Sequence, residues 1–258
     1  MRLAVIGAAL LCLIGGAARA EDEVIVIPHR TWSFNGPFGT FDRAAAQRGF
    51  QVYAQVCATC HALKHAFYRD LKGIGLSEEQ IKAAASNATI ATIGDDGQPA
   101  ERPGLPADHF RSPYPNEKAA RAALNGALPP DLSLIIKARD EGADYLYALL
   151  TSYSDSPPMD KKTGKPMEMG AGMMYNAVYP GHQIAMPPPL SDGSVPYTDG
   201  TGNKMEQEAI DVVTFLAYIS EPETETRKRL GVKVVFFFLI MTGLSYAIKR
   251  RVWADVEH

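Results

Sequence analysis

Apolar residues recur every three or four positions in several stretches, the pattern of a mainly helical chain with long loops. Phe50, Tyr53 and Cys57 share one face of a helix predicted over Arg43 to Val56, with Asp42 as its N-cap. Ser77, with Glu79 and Gln80 behind it, predicts a second helix through Ala85 opened by a capping arrangement. Asn116 caps a short helix to Leu124, and Asn125-Gly126 ends it. A further helix is expected from Pro129-Pro130-Asp131 through about Ala138. Asp144 to Tyr153 continues as a helix with Leu146, Leu149 and Leu150 inward. Lys204 to Ser220 places Ala209, Val213, Leu216 and Ala217 along one stripe, and Glu221-Pro222 terminates it. Pro28 to Thr40 reads as an ordered loop packed on the body. Residues 93–116 read as loop from their Gly, Pro and Asp content. Met and Pro dominate residues 154–204, and a loop of that length is uncommon unless functional.

Two stretches abandon the amphipathic pattern. Residues 1–20 begin with Arg2, continue as an apolar run from Leu3 to Ile14 and close on Ala18-Arg19-Ala20, the form of a cleaved secretory signal peptide. The run is short for a membrane span, which disfavours an uncleaved anchor. Val232 to Ile248 is 17 almost wholly apolar residues, the short end for a spanning helix. Arg227-Lys228-Arg229 precedes it, and Lys249-Arg250-Arg251 and Trp253 follow, side chains suited to headgroups rather than to a buried core helix. The expected layout is a signal peptide (1–20), an exported body (21–226), a polar basic hinge (227–231), a transmembrane helix (232–248) and a cytoplasmic tail (249–258). The flanking charges nearly balance, so orientation follows from export of the body. Without the arginine- and serine-rich character of a transit peptide, a bacterial periplasmic body is favoured.

Charge sharpens this picture. The whole chain of 258 residues carries a formal charge of -3. Residues 21–220 hold 17 Lys and Arg against 24 Asp and Glu, which suits a basic soluble partner or plain solubility and no nucleic acid. The three cysteines are Cys12, Cys57 and Cys60. Removal of the leader leaves one pair and no disulfide framework.

That pair stands in Cys57-Ala58-Thr59-Cys60-His61, the spacing that covalent attachment of a c-type haem requires. Two thiols add to the haem vinyl groups, and the next imidazole ligates the iron. A zinc site would want two more ligands of similar character, and a thioredoxin couple would want a strand where this chain reads as helix. A helix before the motif and another at the end of the body match small c-type cytochromes, whose first and last helices cross over a haem crevice. The fold expected is therefore mainly α: a class I cytochrome c-like haem domain with long loops plus one C-terminal transmembrane helix.

For the sixth ligand, the loop offers Met159, Met167, Met169, Met173, Met174 and Met186. Met186 stands out in Ile184-Ala185-Met186-Pro187-Pro188-Pro189-Leu190, apolar before and conformationally fixed after. Met173 or Met174 comes next. His29, His65, His109, His182 and His258 would each allow bis-histidine ligation, and His65 reads better as a neighbour of His61 on a continuing helix.

Gly49-Phe50-Gln51-Val52-Tyr53, Arg102-Pro103-Gly104 and Tyr114-Pro115-Asn116-Glu117 resemble the cytochrome c1 family. So do Arg121, Asn125-Gly126-Ala127-Leu128-Pro129-Pro130-Asp131-Leu132-Ser133, the Met186 segment and Arg227-Lys228-Arg229. The resemblance implies the haem subunit of a quinol–cytochrome c oxidoreductase. It implies Met186 as sixth ligand, Arg121 pairing with a haem propionate, and Pro129 and Pro130 lining the crevice on the histidine side. There, a backbone carbonyl is expected to accept from the His61 ring. Implied partners are cytochrome b, the Rieske iron–sulfur protein as electron donor, a soluble c-type cytochrome as acceptor, and the bilayer. Some bacterial members carry an extra cysteine pair in residues 140–170, absent from this chain. The alternatives from other classes are an open-site c-type haem enzyme such as a membrane-anchored peroxidase, and a structural or haem-sensing membrane subunit.

Overall fold

The computed structural model describes residues 25–159 and 164–255. The leader expected at 1–20, with Cys12, and His258 at the other end lie outside the described residues. Helix α1 (Arg43–Gln55) starts at Asp42, whose carboxylate accepts from the Ala45 N–H at 3.1 Å. A single 3-10 turn, Cys57–Thr59, carries the first cysteine of the pair, and Cys60 caps it. A longer 3-10 helix, Tyr68–Ile74, leads to α2 (Glu78–Ser86), opened by the reciprocal Ser77 and Gln80 capping box. Helix α3 (Glu117–Ala123) is capped by Asn116. Its chain reversal uses the left-handed region at Asn125 (φ 51°) and Gly126 (φ 89°), where glycine carries no Cβ penalty. Helices α4 (Gly142–Thr151) and α5 (Met205–Ser220) complete the body.

The core forms where α1 crosses α5. A Cβ on Gly49 would sit 1.9 Å from the Asp211 carbonyl oxygen, so only glycine permits this approach. Phe50 and Tyr53 of α1 meet Phe215 of α5 and Phe110, with ring centroids 5.7 to 6.2 Å apart. Beside the crossing, Arg48 clasps the fully buried Asp211 with two bonds of 2.7 and 2.9 Å and Asp199 with a third of 2.9 Å. Asp211 raises the Arg48 pKa further above its ordinary value.

Four expectations need correction. Residues 93–116 are not simply loop. An antiparallel hairpin pairs β1 (Thr89–Ile93) with β2 (Pro99–Pro103) in the register Thr89 to Pro103 and Ile93 to Pro99. The prolines occupy the strand ends, where a missing N–H is tolerated. Residues 131–138 are successive turns, not a helix, because the Leu132 and Ser133 N–H groups are committed to Ala62 and Asp131. Helix α6 (Thr224–Val252, 29 residues) starts before the apolar run, so residues 227–231, expected as a hinge, form early turns of one continuous helix. The chain after His61 is also irregular, so His65 does not share a helix with it.

Among the described residues, the long stretch 154–204 does have little regular structure. It holds the two-residue strands β3 (Met174–Tyr175) and β4 (Gln183–Ile184), with a 3-10 turn at Pro180–His182. Buried polar side chains pin it. Asn176 donates to the Leu149 carbonyl at 2.8 Å and accepts from the Val178 and Tyr179 N–H groups. Glu208 of α5 accepts from the Val195 N–H at 2.9 Å and from the Ser194 hydroxyl at 2.8 Å. These bonds satisfy groups whose burial would otherwise be costly.

Candidate functional site

Helix α1 runs directly into the cysteine motif, and its core-facing residues fix where the paired thiols stand. The Cys60 and His61 N–H groups both bond to the Cys57 carbonyl, at 3.1 and 2.8 Å, so the motif is a closed turn. Cys57 and Ala58 pack against the same core as Met186, and all three are half-buried. Burial pushes the Cys57 thiol up to about 12. That is opposite to the depressed thiol of a redox dithiol. Among the described residues, no group of three or more His, Cys, Asp or Glu side chains is gathered to hold a metal, so the pair lacks the partners of a zinc site. Burial, with Cys60 nearby, holds the Tyr114 phenol above its ordinary value.

The segment around Pro129 and Pro130 straps onto the chain after the motif. The Pro130 carbonyl lies 2.8 Å from His61 Nδ1. Leu132 N–H donates to the Ala62 carbonyl at 2.9 Å. The Asp131 carboxylate accepts from the Lys64 N–H at 2.9 Å, and the Ser133 hydroxyl accepts from the His65 N–H at 3.1 Å. With a carbonyl as its partner, Nδ1 must carry the proton, which leaves Nε2 as the electron-pair donor. Burial lowers the His61 pKa, against opposing effects of the Pro130 carbonyl and Asp131. Buried Tyr53 adds a contact from its hydroxyl to the His61 carbonyl at 3.4 Å. Asp131 and Ser133 escaped the sequence analysis as site-building residues. The signal was present in Pro-Asp-Leu-Ser, whose short polar side chains favour local bonds to backbone.

Met186 follows β4. The Tyr153 hydroxyl donates to its carbonyl at 3.1 Å, fixing the backbone just before the prolines. Of the other candidate methionines, Met159, Met173 and Met174 are exposed, and Met167 and Met169 are half-buried but outside the core on which Met186 packs. His29 pairs with Asp144 at 2.6 Å, His65 and His109 are exposed, and His182 stacks near Tyr175. Arg121 is exposed, and its Nη1 donates to the Gly126 carbonyl at 2.9 Å.

The arrangement fits an iron porphyrin. It offers two thiols on one turn, a histidine with its donor nitrogen selected by a backbone carbonyl, and a thioether packed on the same core. The fold and the site together define a c-type haem domain. Residues 32–256 match the model of the cytochrome c1 family. Cytochrome c1 of Rhodospirillum rubrum is 42% identical over 268 residues, covering 100% of this chain and 98% of that protein. The mitochondrial cytochrome c1 haem protein of Saccharomyces cerevisiae is 44% identical, covering 95% of this chain and 78% of its own length. Cytochrome b/c1 of Bradyrhizobium diazoefficiens is 45% identical over 92% of this chain, a match spanning 37% of that longer protein. The chain belongs to the cytochrome c1 family, the haem electron-carrier subunits of the cytochrome bc1 complex.

Proposed function

We propose that this chain is a membrane-anchored one-electron carrier that takes electrons from the Rieske iron–sulfur protein and gives them to a soluble c-type cytochrome. The bond from His61 Nδ1 to the Pro130 carbonyl carries the reading, because it prepares Nε2 for iron. Cys57 and Cys60 would tether one haem covalently, His61 and Met186 would ligate its iron, and Pro129 and Pro130 would line the histidine side. Arg121 would pair with a propionate; a guanidinium fork suits a carboxylate. Bound haem supplies a one-electron iron couple, which a thioether ligand biases toward the reduced state. The chain's own work is to hold the imidazole in one tautomer and to keep the thioether against an apolar core. The acidic body steers a basic acceptor.

The relative named cytochrome b/c1 supports a cytochrome b partner. Helix α6 is about 44 Å long at 1.5 Å per residue, enough to cross an apolar layer of about 30 Å. None of its most apolar stretch is buried against the body. The reading places the body in the periplasm of a bacterial inner or intracytoplasmic membrane, after removal of residues 1–20, with residues 249–258 in the cytoplasm.

The test is purification from the native membrane followed by redox titration and near-infrared spectroscopy of the oxidised form. A methionine-to-iron charge-transfer band and co-purifying cytochrome b and Rieske subunits are expected. A high-spin spectrum would select the open-site enzyme instead. Denatured, acetone-extracted chain without covalent pigment would defeat the covalent attachment.

A further inference from the structure

The segment Asn35–Thr40 is a rigid loop that ends against α6. Asn35 N–H bonds to the Trp32 carbonyl and Thr40 N–H to the Ser33 carbonyl, both at 3.0 Å. Trp32 stacks on Phe34 with centroids 5.6 Å apart. Lys228 of α6 donates to the Phe34 carbonyl at 2.6 Å and the Gly39 carbonyl at 3.2 Å. At the tip of this fixed loop Phe38 is 80% exposed. An aromatic ring in that position on a rigid loop is costly in water and favourable in hydrocarbon.

Its neighbours indicate which medium surrounds it. Pro37 and Phe38 form one wall of a groove of about 440 Å³, and Lys228, Gly231, Val232, Val235 and Phe236 form the other. Val235 and Phe236 lie beyond Arg229, the last residue of the basic cluster, by about 9 Å or more along the helix axis at 1.5 Å per residue. If Arg229 marks the headgroups, the far end of the groove lies in the hydrocarbon. The groove is continuous with the exposed apolar surface of α6, where Val234 through Ile240 project outward.

We propose that this loop is a second membrane contact of the body. Phe38 enters the leaflet nearest the haem domain, and a phospholipid acyl chain fills the groove between it and α6. The phosphate of that lipid lies at the level of Arg227, Lys228 and Arg229. The inference rests on α6 being the membrane anchor.

The test uses the haem-loaded full chain in vesicles of phosphatidylcholine and phosphatidylglycerol. A nitroxide is attached to Phe38→Cys, to Phe237→Cys in the apolar run of α6, or to Lys82→Cys on the surface of α2. With the leader and its Cys12 removed on export, and Cys57 and Cys60 engaged by haem, each introduced thiol is labelled alone; covalent haem content verifies folding. Electron paramagnetic resonance then compares collision with oxygen, which concentrates in hydrocarbon, and with a nickel chelate, which stays in water. The expected oxygen preference at positions 38 and 237 is several-fold above that at 82. Lipid-like behaviour at 237 with water-like behaviour at 38 overturns the loop contact alone. Water-like behaviour at both overturns the anchor reading, and the loop contact with it. Lipid-like behaviour at 237 with shielding from both probes at 38 means protein fills the groove, which overturns the lipid assignment.

Discussion

Gly49→Ala isolates the packing on which the site stands. The added methyl carbon would lie 1.9 Å from the Asp211 carbonyl oxygen, 2.5 Å from its carbon and 2.8 Å from the Phe215 Cβ. Ordinary contact is about 3.5 Å, so α1 and α5 must separate by roughly 1.5 Å at their crossing. Two of the three obstructing atoms are backbone, so no rotamer change relieves the clash. Overpacking costs about 1–3 kcal/mol and sometimes more. The intrinsic gain of alanine over glycine within a helix is about 1 kcal/mol. The crossing carries the Arg48 clasp and four aromatic contacts, which places the overpacking at the upper end. A net loss of about 2 kcal/mol lowers Tm by about 4–8 °C in a domain of this size. The assay is thermal unfolding of the haem-loaded chain in detergent, followed by far-ultraviolet circular dichroism and Soret absorbance. An unchanged or raised Tm would refute the close-approach argument, because propensity alone favours alanine.

Four further outcomes are expected. Met186→Leu lowers the reduction potential and opens the iron to carbon monoxide; unchanged values of both would remove Met186 from the ligand set. Asp211→Ala leaves Arg48 without its buried partner and costs about 3–5 kcal/mol in denaturant unfolding, whereas a loss near zero would mean that Asp199 alone satisfies the guanidinium. Hydrogen bonding from Arg102 holds the Asp108 carboxyl down at about 2, from 3.8. The stability it provides is therefore full above about pH 4 and lost as pH falls toward 2, so Asp108→Asn should flatten that part of the acid-unfolding curve relative to the parent. Asp131→Ala removes the acceptor for two backbone N–H groups and loosens the strap at about 1–2 kcal/mol, with a shifted haem potential as the readout that ordinary surface loss would not move.

Much of the helical frame was legible because its signals are local. Asp42, Ser77 and Asn116 each cap the helix that the sequence predicts, and the stripe through Ala209, Val213 and Leu216 is buried. The cysteine motif was legible for the same reason: its chemistry is written within five residues. What failed was in part local: residues 93–116 read as loop from their Gly, Pro and Asp content, yet Ile93 and Thr89 pair with Pro99 and Pro103 across a short hairpin whose Asp96-Gly97 turn was a signal within the sequence. The turns after Pro130 looked helical because their competing acceptors, the Ala62 carbonyl and the Asp131 side chain, become visible only once residues 61–65 lie alongside. Residues 227–231 looked like a hinge from their charge, but Glu225 and Lys228 spend their charges on the body rather than on solvent.

Those two side chains fasten α6 to the body. Glu225 holds the Phe41 N–H and Arg43, Lys228 holds two carbonyls, and the helix between them has no break. The body is thus mounted on α6 like a lamp on a fixed bracket, with no break in the helix at the joint. In the proposed carrier, the redox centre keeps a constant height and heading, so whatever travels between stations must be the proteins that visit it.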